Sequence, residues 1–344
     1  MATVVMTDDG IQFDGRTLDE RPLGGAETSF IEMANALAAR GHDVQVFNRC
    51  AESVTYKGVR WTPLDRGLPE TADLYIANRS YKLIMGVPKA KFAIFWIHNP
   101  ANYLLKWRYQ WRLFRRRPLI VFSGESHAST YPKWAGAGGR AIVPYGVTEI
   151  FRHADPRPAP PPRAVFTSNP LRSLDWLMNV WEAHIHPNVP KAELHVFAGA
   201  ATYGSVGQSK AGRMGPILER AQALAGKGVV LRGPVPKGQL VDELAQARVL
   251  LYRGDIGETF CSAVAEAQAM GLPVVLEDIA CMRERLVSGK TGYLTHGADE
   301  FGARSVALLT DDVLWQDFNR SALDLQRSWG WDEASQAFER LAGL

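Results

Sequence analysis

At 344 residues, 46% hydrophobic, 22% charged and with a net charge of +3, the chain has a soluble globular composition and more length than one hydrophobic core usually takes. That argues against a disordered or collagen-like polymer and for two domains. Three widely spaced cysteines, Cys50, Cys261 and Cys281, fit neither a disulfide framework nor a zinc site, and no metal is expected. The opening MATVVMTDDG is too short an apolar run for a signal peptide, and no stretch approaches the roughly 18 apolar residues of a membrane span, so a cytoplasmic location is expected.

In chain order, TVVMT predicts a first strand, RPLGGAE a loop, and residues from about Glu27 to Arg40 a helix. Phe30, Met33, Ala34, Leu37 and Ala38 recur there at the spacing of a buried helix face. Gly41 closes this helix and DVQVFN follows as a strand. LYIAN, FAIFWIH, LIVFSG and AIVPYG predict further strands. The run ADPRPAPPPR, residues 154–163, has too much proline for a helix interior or central strand and reads as a stiff linker. Beyond it AVFTSN, ELHVFAG, VVLRG, ARVLLYRG, LPVVLED and TGYLTH predict strands with helices between them. The alternation implies parallel sheets. The expected architecture is α/β: a Rossmann-like doubly wound domain over 1–153, the linker over 154–163 and a second such domain over 164–328. The two would face each other across a cleft that holds the ligand.

Charge divides unevenly. Residues 1–153 carry 20 Lys+Arg and 14 Asp+Glu, a balance of +6; the remainder carries 19 and 22, a balance of −3. Lys106, Arg108, Arg112, Arg115, Arg116 and Arg117 fall in one acid-free run, which places an anionic partner on the first half. In the same run Leu104, Trp107, Trp111 and Phe114 repeat at three and four residues. A packed amphipathic helix, with its basic edge near an anionic acceptor, is the favoured reading; an interfacial helix on an anionic membrane is the alternative. Nucleic acid is a poor partner, since no binding module accompanies the charge.

Two constellations carry chemistry. Gly24-Gly25 stands between a strand and a helix N-terminus, where the backbone can approach an anion closely; a tight turn would use the same glycines. In GETFCSAVAEAQAMGLPVV, residues 257–275, Glu258 precedes a helix and Glu266 lies eight positions on. The turn from Phe260 to Ala263 would offer free amides to an anion, and the two carboxylates would accept from sugar hydroxyls. Alternatively, Glu266 is a surface residue and Glu258 an N-terminal charge favouring the helix dipole.

GGAE before a helix, the following RGHDV, VPYGVTEIF, the glutamates eight apart in ETFCSAVAEAQAMGLPVV and the closing SWGWDEASQAFERL occur in this order. Together they resemble the retaining family-4 glycosyltransferases of the GT-B fold. The resemblance implies that residues 329–344 form a helix crossing back to the first domain. By position, Glu266 matches the glutamate that binds the nucleotide ribose, and Glu258 the one that holds donor-sugar hydroxyls. The amides of Cys261, Ser262 and Ala263 match the turn receiving sugar and diphosphate, Gly25 the glycine approaching the diphosphate, and His98 a histidine near the sugar; a core histidine is the plain alternative. Val235 and Pro236 match the segment that contacts the base.

One departure stands out. The family's basic pair near GR-x5-KG is replaced by FTSNPLRSLDWLMNVW, where Arg172 is the single cation and the candidate phosphate clamp. Lys210 and Arg213, in a stretch that reads as an exposed loop, are candidates for the missing charge. The implied reaction is hexosyl transfer from a UDP- or GDP-type sugar to a hydroxyl of a glycan or lipid-linked acceptor. It would retain the anomeric configuration and use neither metal nor cofactor, in the synthesis of cell-surface polysaccharide or glycolipid. Lys106, Arg108, Arg112, Trp107 and Trp111 mark the acceptor or membrane side, at the inner face of the membrane. An epimerase or phosphorylase on the same fold and a non-catalytic nucleotide-sugar binder are the alternatives.

Overall fold

The computed structural model describes residues 1–199 and 204–344, with backbone only for 204–210. Two compact units emerge: residues 1–20, 25–146 and 330–344, and residues 21–24 and 147–329.

The first unit holds strands β1 (Thr3–Thr7), β2 (Asp43–Asn48), β3 (Val54–Tyr56), β4 (Val59–Pro63), β5 (Thr71–Asn78), β6 (Lys89–Trp96), β7 (Leu119–Phe122) and β8 (Gly139–Ile142). They form one sheet in the order β3-β4-β2-β1-β5-β6-β7-β8, parallel except for the β3–β4 edge pair. Its helices are α1 (Thr17–Glu20), α2 (Gly25–Ala39), α3 (Trp107–Arg116) and α4 (Glu125–Ser129). The period read in α2 is the packed one: Phe30, Met33, Ala34 and Leu37 are buried, and Gly41 follows in the left-handed region.

The second unit holds β9 (Arg163–Phe166), β10 (Glu193–Val196), β11 (Val229–Leu231), β12 (Val249–Tyr252), β13 (Val274–Glu277) and β14 (Gly292–Thr295). This parallel sheet runs β11-β10-β9-β12-β13-β14. Its helices are α5 (Leu174–Val180), α6 (Gly204–Ala223), α7 (Lys237–Ala245), α8 (Ser262–Ala269), α9 (Ala298–Thr310) and α10 (Asp312–Gln326). A last helix, α11 (Trp331–Ala342), belongs to the first unit. There Phe338 is fully buried against Trp96, and Glu339 takes two hydrogen bonds from Arg40, at 2.7 and 2.9 Å.

Three expectations change. The division falls between residues 146 and 147 rather than after 153, because Val147 and Phe151 join the second unit's core and Arg152 donates to Arg327 O at 2.7 Å. The proline run has no regular element, yet Arg157 within it donates to Met270 O at 3.0 Å, so it is laid along the second unit. The Gly/Ser stretch read as a loop lies within α6; at its end Met214 is buried, a packed position that offsets the weak helix propensity of glycine and serine.

Within the first unit His127 is 1% exposed. Its Nδ1 accepts from Ser123 N at 3.2 Å, and Nε2 donates to Asn99 O at 2.9 Å, so the ring is neutral. Burial lowers its pKa from 6.5 to about 4. The unfolded chain therefore binds a proton that the folded one does not, and this stability is present above the unfolded pKa and lost as pH falls through the folded one. Unfolding free energy should drop by about 3 kcal/mol across that window. Urea titrations at successive pH values test this, and a His127→Gln variant with an undiminished slope would refute the assignment.

Candidate functional site

In the second sheet the chain runs from β9 to β10 on one side and returns to β12 on the other. The carboxyl ends of the adjacent strands β9 and β12 therefore form the switch point where open α/β sheets bind ligands. Arg172 follows β9 in the loop SNPLRS, whose Asn169 side chain accepts from Leu171 N at 2.9 Å. Ser173, left-handed at φ 63°, donates through Oγ to Gly254 O at 3.0 Å. That tie to the end of β12 sets Arg172 beside Glu258: Arg172 Nη1 forms an ion pair with Glu258 Oε1, and the Tyr252 hydroxyl donates to the same oxygen. The Glu258 side chain is 4% exposed, the Arg172 side chain 40%. Burial opposes the guanidinium charge, but the Glu258 carboxylate outweighs it and raises the Arg172 pKa. Burial, reinforced by negative neighbours, holds the Tyr252 proton in place.

Helix α8 begins after Cys261, which is left-handed at φ 63°. Among the described residues the amides of Cys261, Ser262 and Ala263 donate to no protein group, as a helix start requires of an anion site. Glu266 sits in the second turn, buried, as an ion-pair partner of Lys237. Lys237 opens α7 directly after Val235 and Pro236, with Pro236 as the N-cap, and its ammonium lies 5.5 Å from the Phe151 ring centroid. Between Glu258 and α8, Phe260 carries the Arg285 guanidinium 4.1 Å from its ring centroid. The two glutamates read as sugar ligands thus each hold a cation.

Gly25, in the first unit, is the exposed first residue of α2, and Gly24, the buried last residue of the 21–24 segment, belongs to the second. His98 follows β6 and is buried. Asn78 donates to Asp8 Oδ2 at 2.6 Å, so its carbonyl oxygen faces His98 Nε2, also at 2.6 Å, as an acceptor. Nε2 then carries the proton, and Nδ1 accepts from the Tyr145 hydroxyl at 2.5 Å. Burial, with Arg79 and His127 nearby, drives the His98 pKa well down. Arg79 spans Asp8 and Glu27 at 3.1 and 2.8 Å. Lys237, Tyr252, Arg285 and the Asp8–Asn78–Arg79–Tyr145 set were not singled out from sequence, although Asp8, Asn78, Tyr145 and Tyr252 stand inside the runs MATVVMTDDG, LYIAN, AIVPYG and ARVLLYRG.

Other candidates fare differently. The side chain of Lys210 lies outside the described residues, and Arg213 is exposed on α6. The favoured packing of 103–117 is corrected. Leu104 is buried, but Trp107, Trp111 and Phe114 are 77%, 44% and 60% exposed. The buried face of α3 is instead Tyr109, Gln110 and Leu113. Gln110 is tolerated inside because its amide donates to Leu104 O and Tyr131 OH, both at 2.9 Å, and accepts from Gly136 N at 3.1 Å.

Residues 162–311 match the family model described as "Glycosyl transferases group 1". A D-inositol 3-phosphate glycosyltransferase of Kribbella flavida is 30% identical over 105 residues, 30% of this chain and 24% of that protein; the match thus spans about a quarter of that relative's length. Among solved structures, sucrose-phosphate synthase from Thermosynechococcus elongatus aligns with a TM-score of 0.76 at 14% identity, covering 98% of each chain. Anabaena HepE in complex with UDP and glucose aligns with a TM-score of 0.71 at 13% identity, covering 100% of each. The fold is GT-B, with two Rossmann-like α/β units.

Proposed function

We propose that the protein is a retaining glycosyltransferase that moves a hexosyl group from a nucleoside-diphosphate sugar, of UDP or GDP type, to a hydroxyl of a glycan or lipid-linked acceptor in cell-surface polysaccharide or glycolipid synthesis. The observation that carries this is the Arg172–Glu258–Tyr252 cluster at the β9/β12 switch point, followed by the open start of α8 and by Glu266. The group 1 match over residues 162–311 supports the same reading.

In this reading the diphosphate meets Arg172 and the amides of Cys261, Ser262 and Ala263, which stabilise the leaving charge. Glu258, fixed through one oxygen by Arg172 and Tyr252, positions donor hydroxyls; that oxygen is a poor covalent nucleophile because both its partners withdraw charge from it. Glu266 accepts from the ribose hydroxyls, Val235 and Pro236 lie toward the base, and Lys237 supplies the second positive charge that the replaced GR-x5-KG segment lacks. From the first unit, Gly25 is assigned to the diphosphate. His98 is assigned to the sugar: held neutral, its Nδ1 could accept from a sugar hydroxyl in place of Tyr145. The diphosphate oxygen takes the acceptor proton as the oxocarbenium-like sugar is captured.

A thermal-shift series with UDP, GDP and ADP tests donor binding, since a ligand bound only by the folded chain raises its melting temperature. One diphosphate should stabilise the protein clearly, and Lys237→Ala should weaken that binding by about tenfold, the size of one charge-assisted contact. Stabilisation by none of the three would sink the donor assignment. Binding followed by no transfer to any acceptor would instead leave a nucleotide-sugar binder.

A further inference from the structure

We propose that the solvent face of α3 is a docking surface for an anionic lipid bilayer, a role independent of the sugar chemistry above. At about 100° per residue, Trp107, Trp111 and Phe114 fall within roughly 60° of one another, opposite the buried Tyr109 and Leu113. All three rings are exposed, and Trp134 is 72% exposed. Trp134 is two residues from Gly136, where a methyl group would come within 3.2 Å of the Phe114 ring, so the loop lies against the same helix. Hydropathy would bury such rings; here the core position goes to Gln110, with its hydrogen bonds complete.

Charge decides what covers them. Between residues 74 and 148 there are 12 Lys+Arg and a single acid, Glu125. Lys106, Arg108, Arg112, Arg115, Arg116, Arg117 and Lys133 form no ion pair with a carboxylate among the described residues. Arg108 and Arg112 lie instead over the Tyr81 ring, 5.2 and 5.0 Å from its centroid, with their charge uncompensated. Indoles standing on a helix face, flanked by unpaired guanidinium groups, match the acyl–headgroup boundary of an anionic leaflet: rings enter the interface and cations meet phosphates.

The full chain is tested by flotation with vesicles of phosphatidylcholine alone and with phosphatidylglycerol added, at low and high salt. Binding is expected only with phosphatidylglycerol, and weaker at high salt. Trp107→Ser combined with Trp111→Ser and Phe114→Ser, or Arg108→Glu combined with Arg112→Glu and Arg115→Glu, should each reduce it by about tenfold or more. Unchanged melting temperatures keep these losses specific, and the single Trp107→Ser variant serves where a triple variant fails to fold. No binding at low salt, equal binding of the aromatic variant, or a concentration-dependent dimer that the same substitutions abolish would each overturn the proposal.

Discussion

Replacing Arg172 with alanine is expected to lower turnover by about 10²- to 10³-fold, the usual effect of removing a group aimed at developing charge. The Arg172 side chain is 40% exposed and at the same time bound to the buried Glu258, so it can meet a diphosphate without leaving its partner. Its loss has a second consequence, since Glu258 would keep only the Tyr252 hydroxyl on that oxygen. Tyr252→Phe separates the two effects: it disturbs Glu258 without removing a positive charge, and should raise the donor KM more than it lowers kcat. Arg172→Lys keeps the charge but loses the planar fork, and should fall between wild type and alanine. Steady-state kinetics with the donor identified by thermal shift would measure all three. An Arg172→Ala enzyme with near-normal kcat would remove Arg172 from the leaving-group site.

Asp8→Ala should destabilise the protein by about 3–5 kcal/mol, the typical result of removing one partner of a buried ion pair. Asp8 is fully buried; it accepts from Gly10 N at 2.7 Å, Asn78 Nδ2 at 2.6 Å and Arg79 Nε at 3.1 Å. Without it the Asn78 amide and part of the Arg79 guanidinium are stranded inside the first unit. Burial raises the Asp8 pKa, against the pull of Arg79, so the buried charge is itself held at a cost. Asp8→Asn keeps one acceptor oxygen but sets its NH2 against the donors on the other side, Gly10 N or Asn78 Nδ2, so it should still cost about 1–3 kcal/mol, though less than the alanine variant. Urea unfolding of the two variants decides the matter: equal losses would show that charge, rather than hydrogen bonding, is what the network requires. Because Asn78 orients His98, both variants should also alter how that ring presents Nδ1.

Much of the fold could be read along the chain because short-range physics governs it. Strand runs such as DVQVFN coincide with β2, and the helical period in residues 30–38 is the buried face of α2. The β3–β4 hairpin escaped notice: its turn is Lys57-Gly58, with both φ values positive at 47° and 77°, and lysine is a poor signal for a turn that asparagine or aspartate usually marks. The start of α6 escaped for the opposite reason, since its glycines and serines suggested a loop. In the site, Glu258 and Glu266 were legible as a spaced pair on one segment. The Arg172–Glu258 and Lys237–Glu266 pairings were not, because the partners lie 86 and 29 residues apart in sequence.

By itself, then, the amino-acid order determined the α/β alternation and the two-sheet plan, since periodicity, glycine and helix starts act over a few residues. Tertiary structure alone decided which cation stands by which carboxylate and which face of α3 turns inward. A helical period tells which residues share a face, but two faces competed here. The one bearing Gln110 went inside because neighbouring backbone and Tyr131 could complete its hydrogen bonds, leaving Trp107, Trp111 and Phe114 in solvent. Complementary partners of that kind come from distant parts of the chain and exist only once the sheet has gathered them.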